Sequence, residues 1–380
     1  MQWNKIAWTA AAVSTAIALS AGCGSTAESF NAGPPASVEK APFSAADAGP
    51  LSESAVWVGG STRLLVAGGW STPPSGGSPM RRDQRAFVWD QTSGWSGLPS
   101  LPPDLMVVGG ASVGDDFTLV AKDCSQALKD GAVDEEGCGR IVLLALQKDS
   151  TWSESAVPDD VFPAVAQIGF VGSVGDSRIA VASASAKWVS VFDTVKRSWQ
   201  RFDGPEIKDR AIAGSCSTRG HLFVVFAPMA GPVSQSAGET DVMVFREMTA
   251  KGDWSPQVEV ERTPSAQQPA PGVACGGGAW TLPVGTNRWA TITSGAPGEA
   301  LTARSKEADY NVPNPIGARE GAVLLTPDAM YDAAGVQLTA PSGQAVPTDP
   351  ALRSVDGTRG VFVRSDDGST LPSVTFWSHQ

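Results

Sequence analysis

Short apolar runs separated by polar turns dominate the chain beyond residue 50. The clearest example is AFVWDQTSGWSGLP, residues 86–99, in which an apolar run leads through a polar turn to a second run that opens on Trp95. Short runs rich in Val, Ile, Phe and Trp and bounded by Gly, Pro, Asn or Asp are typical of β-strands. The chain also holds 41 glycines and 28 prolines, with only 18% charged residues. The pattern therefore predicts an all-β fold of many short strands.

The same unit recurs along the chain. Its second run begins with a tryptophan at four positions that are 47 to 57 residues apart, and each tryptophan follows an apolar strand and a polar turn. These marker tryptophans are Trp95, Trp152, Trp199 and Trp254. Two more apolar runs precede the pair, for example AVWVGG and RLLVAGG in the first unit. Four strands in each repeat of this length predict a β-propeller of four-stranded antiparallel blades.

The number of units sets the expected number of blades. Four clear units are followed by a fifth that begins at GVACGGGAW, a short sixth over residues 321–341 and a seventh, with only three strands, over residues 351–379. We expect seven blades, with six as the alternative because the last two units are short. Since a ring has to close to avoid an unpaired strand edge, we expect residues around 41–52 to supply the missing strand. The marker tryptophans should pack between blades rather than bind a carbohydrate.

The first unit resembles the Kelch and galactose-oxidase-type propellers. In that family a strand ends in a double glycine, matched here by Gly68 and Gly69. An aromatic strand then leads to a turn and a tryptophan, matched by Phe87, Trp89 and Trp95. The resemblance weakens along the chain and is nearly lost after about residue 300. It implies a propeller of the same architecture.

The residue inventory gives little support to an enzyme. The chain has two histidines and two tyrosines in all, His221, His379, Tyr310 and Tyr331, and no motif of a galactose-oxidase copper centre surrounds either tyrosine. Neither histidine lies beside the nucleophile-elbow sequence of a Ser-His-Asp hydrolase. We therefore expect no cofactor. A glycan hydrolase or lyase that uses two carboxylates is the alternative, because sequence spacing does not determine the distance between two acids.

The first 22 residues have the pattern of an export signal. Lys5 precedes an apolar run over residues 6–19 that is too short for a comfortable membrane span, and small residues lead to Cys23. This end resembles the lipobox of bacterial lipoproteins, which implies cleavage before Cys23 and a lipid on its thiol. The family's usual leucine three residues before the cysteine is replaced by Ser20. An ordinary secretory signal is the alternative.

The remainder of the chain divides into a tether and one folded domain. Residues 23–50 are small, polar and interrupted by prolines, which predicts a flexible tether, and residues 51–380 would form a single propeller domain. The formal net charge of −11 argues against non-specific binding of nucleic acid. We expect an exported, monomeric domain that is anchored to a cell-envelope membrane through Cys23, or else a secreted one.

Four cysteines follow Cys23, and an even number in an exported chain predicts disulfides. Four cysteines allow three pairings, of which we favour Cys124 with Cys138, inside one acidic connection, and Cys216 with Cys275, at matching places in consecutive units. A structural zinc site is not expected, because no two cysteines form a Cys-x-x-Cys pair.

Three long insertions predict where a ligand would bind. They connect the second and third strands of the first, second and fourth units, over residues 70–85, 122–140 and 227–241, which places all three on one face of the ring. The candidate residues are Trp70, Arg81, Arg82 and Arg85 in the first insertion and Asp130, Asp134, Glu135 and Glu136 in the second.

The simplest function for such a face is the binding of a protein or a cell-surface glycan. The carboxylate-based hydrolase or lyase is one alternative, and a structural scaffold of an envelope assembly is another. The same charges would also serve simply to solvate the loops, which is what charged runs usually do.

Overall fold

Nearly all the regular structure of the described residues is β-strand, and these strands pair antiparallel. The computed structural model describes these residues: 51–52, 54–71, 81–125, 138–164, 166–184, 187–205, 207, 210–218, 221–228, 241–262, 274–276, 279–285, 288–293, 302–307, 323–325, 330–332, 336–341, 343–345, 352–365 and 371–379. None of them lies in a helix long and apolar enough to span a bilayer. They belong to a unit that covers Phe43–Gln380.

Five four-stranded sheets, in which the strands follow their order along the chain, are the blades of the propeller. Blade one contains β1 (Val56–Gly59), β2 (Arg63–Ala67), β5 (Ala86–Asp90) and β6 (Gly94–Gly97), with a small hairpin of β3 (Trp70–Ser71) and β4 (Arg81–Arg82) between β2 and β5. Blade two contains β7 (Leu105–Val113), β8 (Asp116–Asp123), β9 (Ile141–Leu146) and β10 (Trp152–Ala156). Blade three contains β11 (Ile168–Val174), β12 (Arg178–Ser183), β13 (Trp188–Asp193) and β14 (Ser198–Asp203).

Blades four and five follow the same plan. Blade four contains β15 (Arg210–Thr218), β16 (His221–Pro228), β17 (Asp241–Met248) and β18 (Val258–Arg262). Blade five contains β19 (Ala274–Gly276), β20 (Ala279–Gly285), β21 (Arg288–Thr293) and β22 (Thr302–Glu307). The first strands of successive blades, β1, β7, β11, β15 and β19, are neighbours in that order, which arranges the blades in a ring.

The C-terminal part departs from this plan. Strands β23 (Val323–Leu325) and β24 (Met330–Asp332) form a two-stranded hairpin, and β25 (Leu338–Thr339), β26 (Leu352–Asp356), β27 (Gly360–Ser365) and β28 (Ser373–His379) form a sheet in the order β25-β28-β27-β26. Strand β26 lies beside β1 of blade one. We call this four-stranded sheet the C-terminal sheet.

The expected count of seven blades, with six as the alternative, is therefore wrong, since the structure is a five-blade propeller followed by the irregular C-terminal sheet. The physical reason is a shortage of strands, because the described residues between 323 and 379 form six strands where two complete blades need eight. Strand β25 pairs with β28 as the fourth strand of the C-terminal sheet. Residues 41–50, part of the segment expected to supply that strand, lie outside the described residues.

Apolar runs such as Leu64–Val66 are continuous because both faces of a blade are covered. In β2, Leu65 and Ala67 pack against blade two, whereas Leu64 packs against Phe362 and Phe376 of the C-terminal sheet. A strand that is buried on both faces has no polar alternation, which is why it is recognised by its length and its flanking turns. The core is thus a series of apolar layers between neighbouring sheets.

The marker tryptophans join neighbouring sheets, as predicted. The indole Nε1–H of Trp152 donates to the carbonyl oxygen of Pro99 at 2.9 Å, which links blade two to blade one. Trp254 donates in the same way to Asp203 at 3.0 Å, which links blade four to blade three. Trp95 donates to Pro372 at 2.9 Å, which links blade one to the C-terminal sheet. Each indole therefore uses its apolar body for packing and its N–H for a contact with the next sheet.

Candidate functional site

The three insertions leave the propeller on one face, as the sequence predicted. They connect β2 with β5, β8 with β9, and β16 with β17, and β2, β8 and β16 are each the second strand of their blade. Because strand direction alternates within a blade, all second-to-third connections emerge on the same side of the ring. We call this side the insertion face, and the opposite side, formed by the tight turns, the turn face.

The first insertion contains the two strands of the β3–β4 hairpin. Trp70 pairs with Arg82 and Ser71 pairs with Arg81 along the backbone. The amide of Asp83 donates to the carbonyl oxygen of Gly69 at 2.9 Å, which closes the hairpin onto the end of β2. The side chains of Trp70 and Arg81 lie outside the described residues, so the structure places only their backbone at this face.

Arg82 is half-buried and lies near Asp104, on the connection between blades one and two. Desolvation by burial lowers the pKa of Arg82, and the negative charge of Asp104 opposes that effect. Since arginine stays protonated under ordinary conditions, Arg82 remains a cation in this partly buried place. Its charge is felt by Asp104 across the first insertion and the connection between blades one and two.

Arg85 is engaged within its own insertion. Its Nε donates to Oδ1 of Asp83 at 2.8 Å and its Nη2 to Oδ2 at 2.5 Å, a two-point contact with a carboxylate whose side chain is only 6% exposed. The hydrogen bond with Asp83 raises the pKa of Arg85, burial opposes this rise, and the charge of Asp83 adds to it. The side chain of Arg85, 37% exposed, thus fixes the end of the insertion before β5 begins.

The second insertion is closed at its root by the predicted disulfide between Cys124 and Cys138, which is confirmed. Both sulfurs are buried against Met106 of β7. The amide of Cys124 donates to the carbonyl oxygen of Asp104 at 2.7 Å. At the same root, Nε of Arg140 donates to a carboxylate oxygen of Asp123 at 3.1 Å. The candidate acids Asp130, Asp134, Glu135 and Glu136 lie outside the described residues.

The described residues test the other cysteine predictions only in part. Cys216, on β15, is disulfide-bonded. The side chain of Cys275 lies outside the described residues, so the pairing of these two cysteines stays a prediction. Cys23 also lies outside them.

The described residues also include a buried histidine. His379 Nε2 lies 3.4 Å from Oδ2 of Asp332, and both side chains are buried where β28 passes β24. The second oxygen of Asp332 accepts the amide of Val336 at 2.8 Å. This pair fastens the β23–β24 hairpin to the C-terminal sheet. No cluster of three or more His, Cys, Asp or Glu side chains that could hold a metal ion occurs among the residues that the structure describes.

Sequence reasoning missed a cavity of about 320 Å³ on the turn face, between blades two and three. Its blade-two wall carries the small side chains of Thr118, Ala145 and Ser153, and the β13–β14 turn of blade three lies across from them. The sequence does contain these small residues, which lie near one end of β8, β9 and β10. The cavity could be recognised only once the strand register was known.

No family model matches the chain, and no curated protein matches it. Among solved structures, virginiamycin B lyase from Staphylococcus aureus is 10% identical over 88% of this chain and 96% of that chain, with a TM-score of 0.43. A fungal alcohol oxidase of the AA5 family is 14% identical over 87% and 75%, with a TM-score of 0.41. YjhT is 11% identical over 66% and 83%, with a TM-score of 0.40. Virginiamycin B lyase and the AA5 oxidase are β-propeller-like proteins.

Proposed function

We propose that the protein is an exported, lipid-anchored propeller that binds a protein or a cell-surface glycan through its insertion face. The observation that carries the binding part of this proposal is at Asp104, which bonds to the root of the second insertion and whose charge acts on the first. The main-chain oxygen of Asp104 accepts the amide of Cys124, and its charge acts on Arg82. Loops that are fixed at their roots lose less conformational entropy on binding than free loops do, so this anchoring favours recognition.

The charges of the insertions indicate a polar partner. The first insertion carries Arg81, Arg82 and Arg85, and the second carries four acids over residues 130–136. Because the two loops have opposite signs, their partner would be matched by a pattern of charge rather than by a single sign. A protein surface with acidic and basic side chains, or a glycan with both carboxylate and amino groups, fits this description.

The anchor proposal rests on the sequence around Cys23. The expected readout is labelling of the chain with a palmitate analogue in a bacterial host, together with retention in the membrane fraction. Cys23→Ala should lose both. Unchanged membrane retention of that variant would show that the chain is held in some other way.

The binding proposal is tested by replacing residues 72–80 with a two-glycine turn, which leaves β3 and β4 in place. Wild type and this variant are compared on a glycan array and in pull-downs from envelope extracts. We expect the variant to lose at least ten-fold in binding to the partner that the wild type selects. Lys196→Ala, an exposed change on the turn face, is the control and should bind as the wild type does. Equal binding by all three proteins would remove the insertion face as the binding surface.

A further inference from the structure

The cavity between blades two and three exists because one row of side chains is too small to fill the space. Thr118 pairs with Ala145, and Ala145 pairs with Ser153, so these three residues lie side by side across β8, β9 and β10. The next row along the same face contains Val120 and Leu143, which pack into the apolar layer against blade three. The layer therefore stops short of the turn face and leaves about 320 Å³ open.

The wall of this cavity carries hydroxyl groups that the fold does not use. The side chain of Thr118 is 6% exposed, lines the cavity, and has no hydrogen-bond partner among the described residues. The hydroxyls of Ser153 and Ser155 also line the cavity and likewise find no partner in the described part of the chain. Because these hydroxyls are open to the cavity and have no protein partner among the described residues, they can form hydrogen bonds with a polar occupant.

The rim of the cavity has a net positive charge. Lys148, from the β9–β10 turn, and Arg197, from the β13–β14 turn, both line it and form no ion pair within the described residues. Asp116 is the one acid among the lining residues. The nearby acids Asp149 and Asp193 accept hydrogen bonds of their own turns through Oδ1, and Oδ2 of Asp193 pairs with Arg178 and Lys196. The two cations are thus available to an anion.

We propose that this cavity is a binding site for a small hydroxylated organic anion of monosaccharide size. Its volume lies at the lower end of the range of small-ligand pockets, about 300 to 1000 Å³, which excludes a long chain from its interior. Lys148 and Arg197 would bind the carboxylate, and the hydroxyl row of Thr118, Ser153 and Ser155 would bind the ligand hydroxyls. The ring of Phe192, on the blade-three side, would cover an apolar face of the ligand. The site is separate from the insertion face and does not depend on it.

The test is calorimetric titration of the full detergent-solubilised chain, with glucuronate, glucose and glucosamine as the probes. Circular dichroism and thermal unfolding first establish that the preparation is folded. We expect glucuronate to bind at least ten-fold more tightly than glucose and glucosamine not to bind. The affinity for glucuronate should fall with added salt, because the two cations are exposed to solvent.

Two variants locate the ligand. Ala145→Leu fills the middle of the small row and should abolish glucuronate binding, and the double variant Lys148→Ala, Arg197→Ala should weaken it at least ten-fold. Lys196→Ala changes a neighbouring exposed lysine that does not line the cavity and should leave the affinity unchanged. Absence of binding by all three probes, or glucuronate binding that survives Ala145→Leu in a folded protein, would overturn the proposal. Replacement of residues 72–80 should not alter this binding, so the insertion-face proposal stands or falls separately.

Discussion

Asp115 holds Thr62 of the neighbouring blade by two hydrogen bonds. The amide of Thr62 donates to Oδ1 at 3.0 Å and its hydroxyl donates to Oδ2 at 3.0 Å. The same Oδ1 also accepts the amides of Ser61 at 2.7 Å and Arg63 at 3.2 Å. A side chain on the β7–β8 turn of blade two therefore caps the β1–β2 turn of blade one. Gly60 leaves room for it, since a Cβ there would lie 2.4 Å from Oδ1.

Removal of this carboxylate should destabilise the propeller. In Asp115→Ala three consecutive amides lose their acceptor, and a hydrogen bond to a charged group has a net worth of about 1.5 to 3 kcal/mol. These amides are only part-buried, so water replaces part of what is lost. We expect the free energy of unfolding to fall by about 2 to 3 kcal/mol in urea denaturation. The control is Asp116→Ala, which removes the exposed acid at the next position. It should change the free energy of unfolding by less than about 0.5 kcal/mol. Similar losses in both variants would show that the cap is not the cause.

The indole hydrogen bonds of the marker tryptophans should be measurable by themselves. Trp152→Phe keeps an aromatic ring but removes the donor to Pro99. Trp199 occupies the matching place in blade three, packs against Phe192 with ring centroids 5.1 Å apart, and shows no such hydrogen bond among the described residues. We therefore expect Trp152→Phe to cost about 1 kcal/mol more than Trp199→Phe in chemical denaturation. Equal costs would mean that only ring packing matters.

The sequence was sufficient for the parts of the fold that repeat. The apolar runs, the polar turns and Trp95, Trp152, Trp199 and Trp254 together predict four-stranded blades and their contacts, because each unit repeats the same local chemistry. The insertion positions and the Cys124–Cys138 disulfide follow in the same way, since both depend on residues that are close in sequence.

The parts that were missed depend on pairing over long distances. Strand β25 joins β28 rather than completing a blade of its own, and a run of apolar residues does not reveal which partner it selects. The cavity is a second example, since Thr118, Ala145 and Ser153 are ordinary residues until their register brings them side by side. Arg85 is a third, because only the structure reveals its two contacts with Asp83.

The Cys124–Cys138 disulfide should stabilise the domain through the loop that it closes. It joins residues 14 apart, and closing a loop of about this length stabilises a protein by about 3 kcal/mol in the chain-entropy model. The double variant Cys124→Ala, Cys138→Ala should lose up to about that amount in urea denaturation. Substitution is preferable to chemical reduction, because a reductant would also break the disulfide of Cys216. A loss well below 1 kcal/mol would indicate that the loop is already ordered when the chain is unfolded.

Asp90 offers a test of the turn chemistry through its pKa. The hydroxyl of Thr92 donates to Oδ1 at 2.5 Å and its amide donates to the same oxygen at 2.8 Å, and these bonds hold the pKa of Asp90 below its ordinary value of 3.8. Because the folded-state pKa is the lower one, the stabilising contribution is present above pH 3.8 and is lost as the pH falls through the folded-state value. Thr92→Val removes the hydroxyl, so the pKa should rise toward 3.8.

The measurement is a titration of the Asp90 carboxyl carbon by NMR in the wild type and in Thr92→Val. Asp149 is an internal control, because the hydroxyl and amide of Thr151 lower its pKa in the corresponding turn of blade two and no change is made there. The contribution of Asp90 to the free energy of unfolding should fall less between pH 5 and pH 4 than between pH 4 and pH 3. The reason is that a lowered carboxyl pKa moves the loss to more acidic solutions. An unchanged Asp90 titration in the variant, or an equal shift at Asp149, would mean that the Thr92 hydroxyl is not what lowers the pKa.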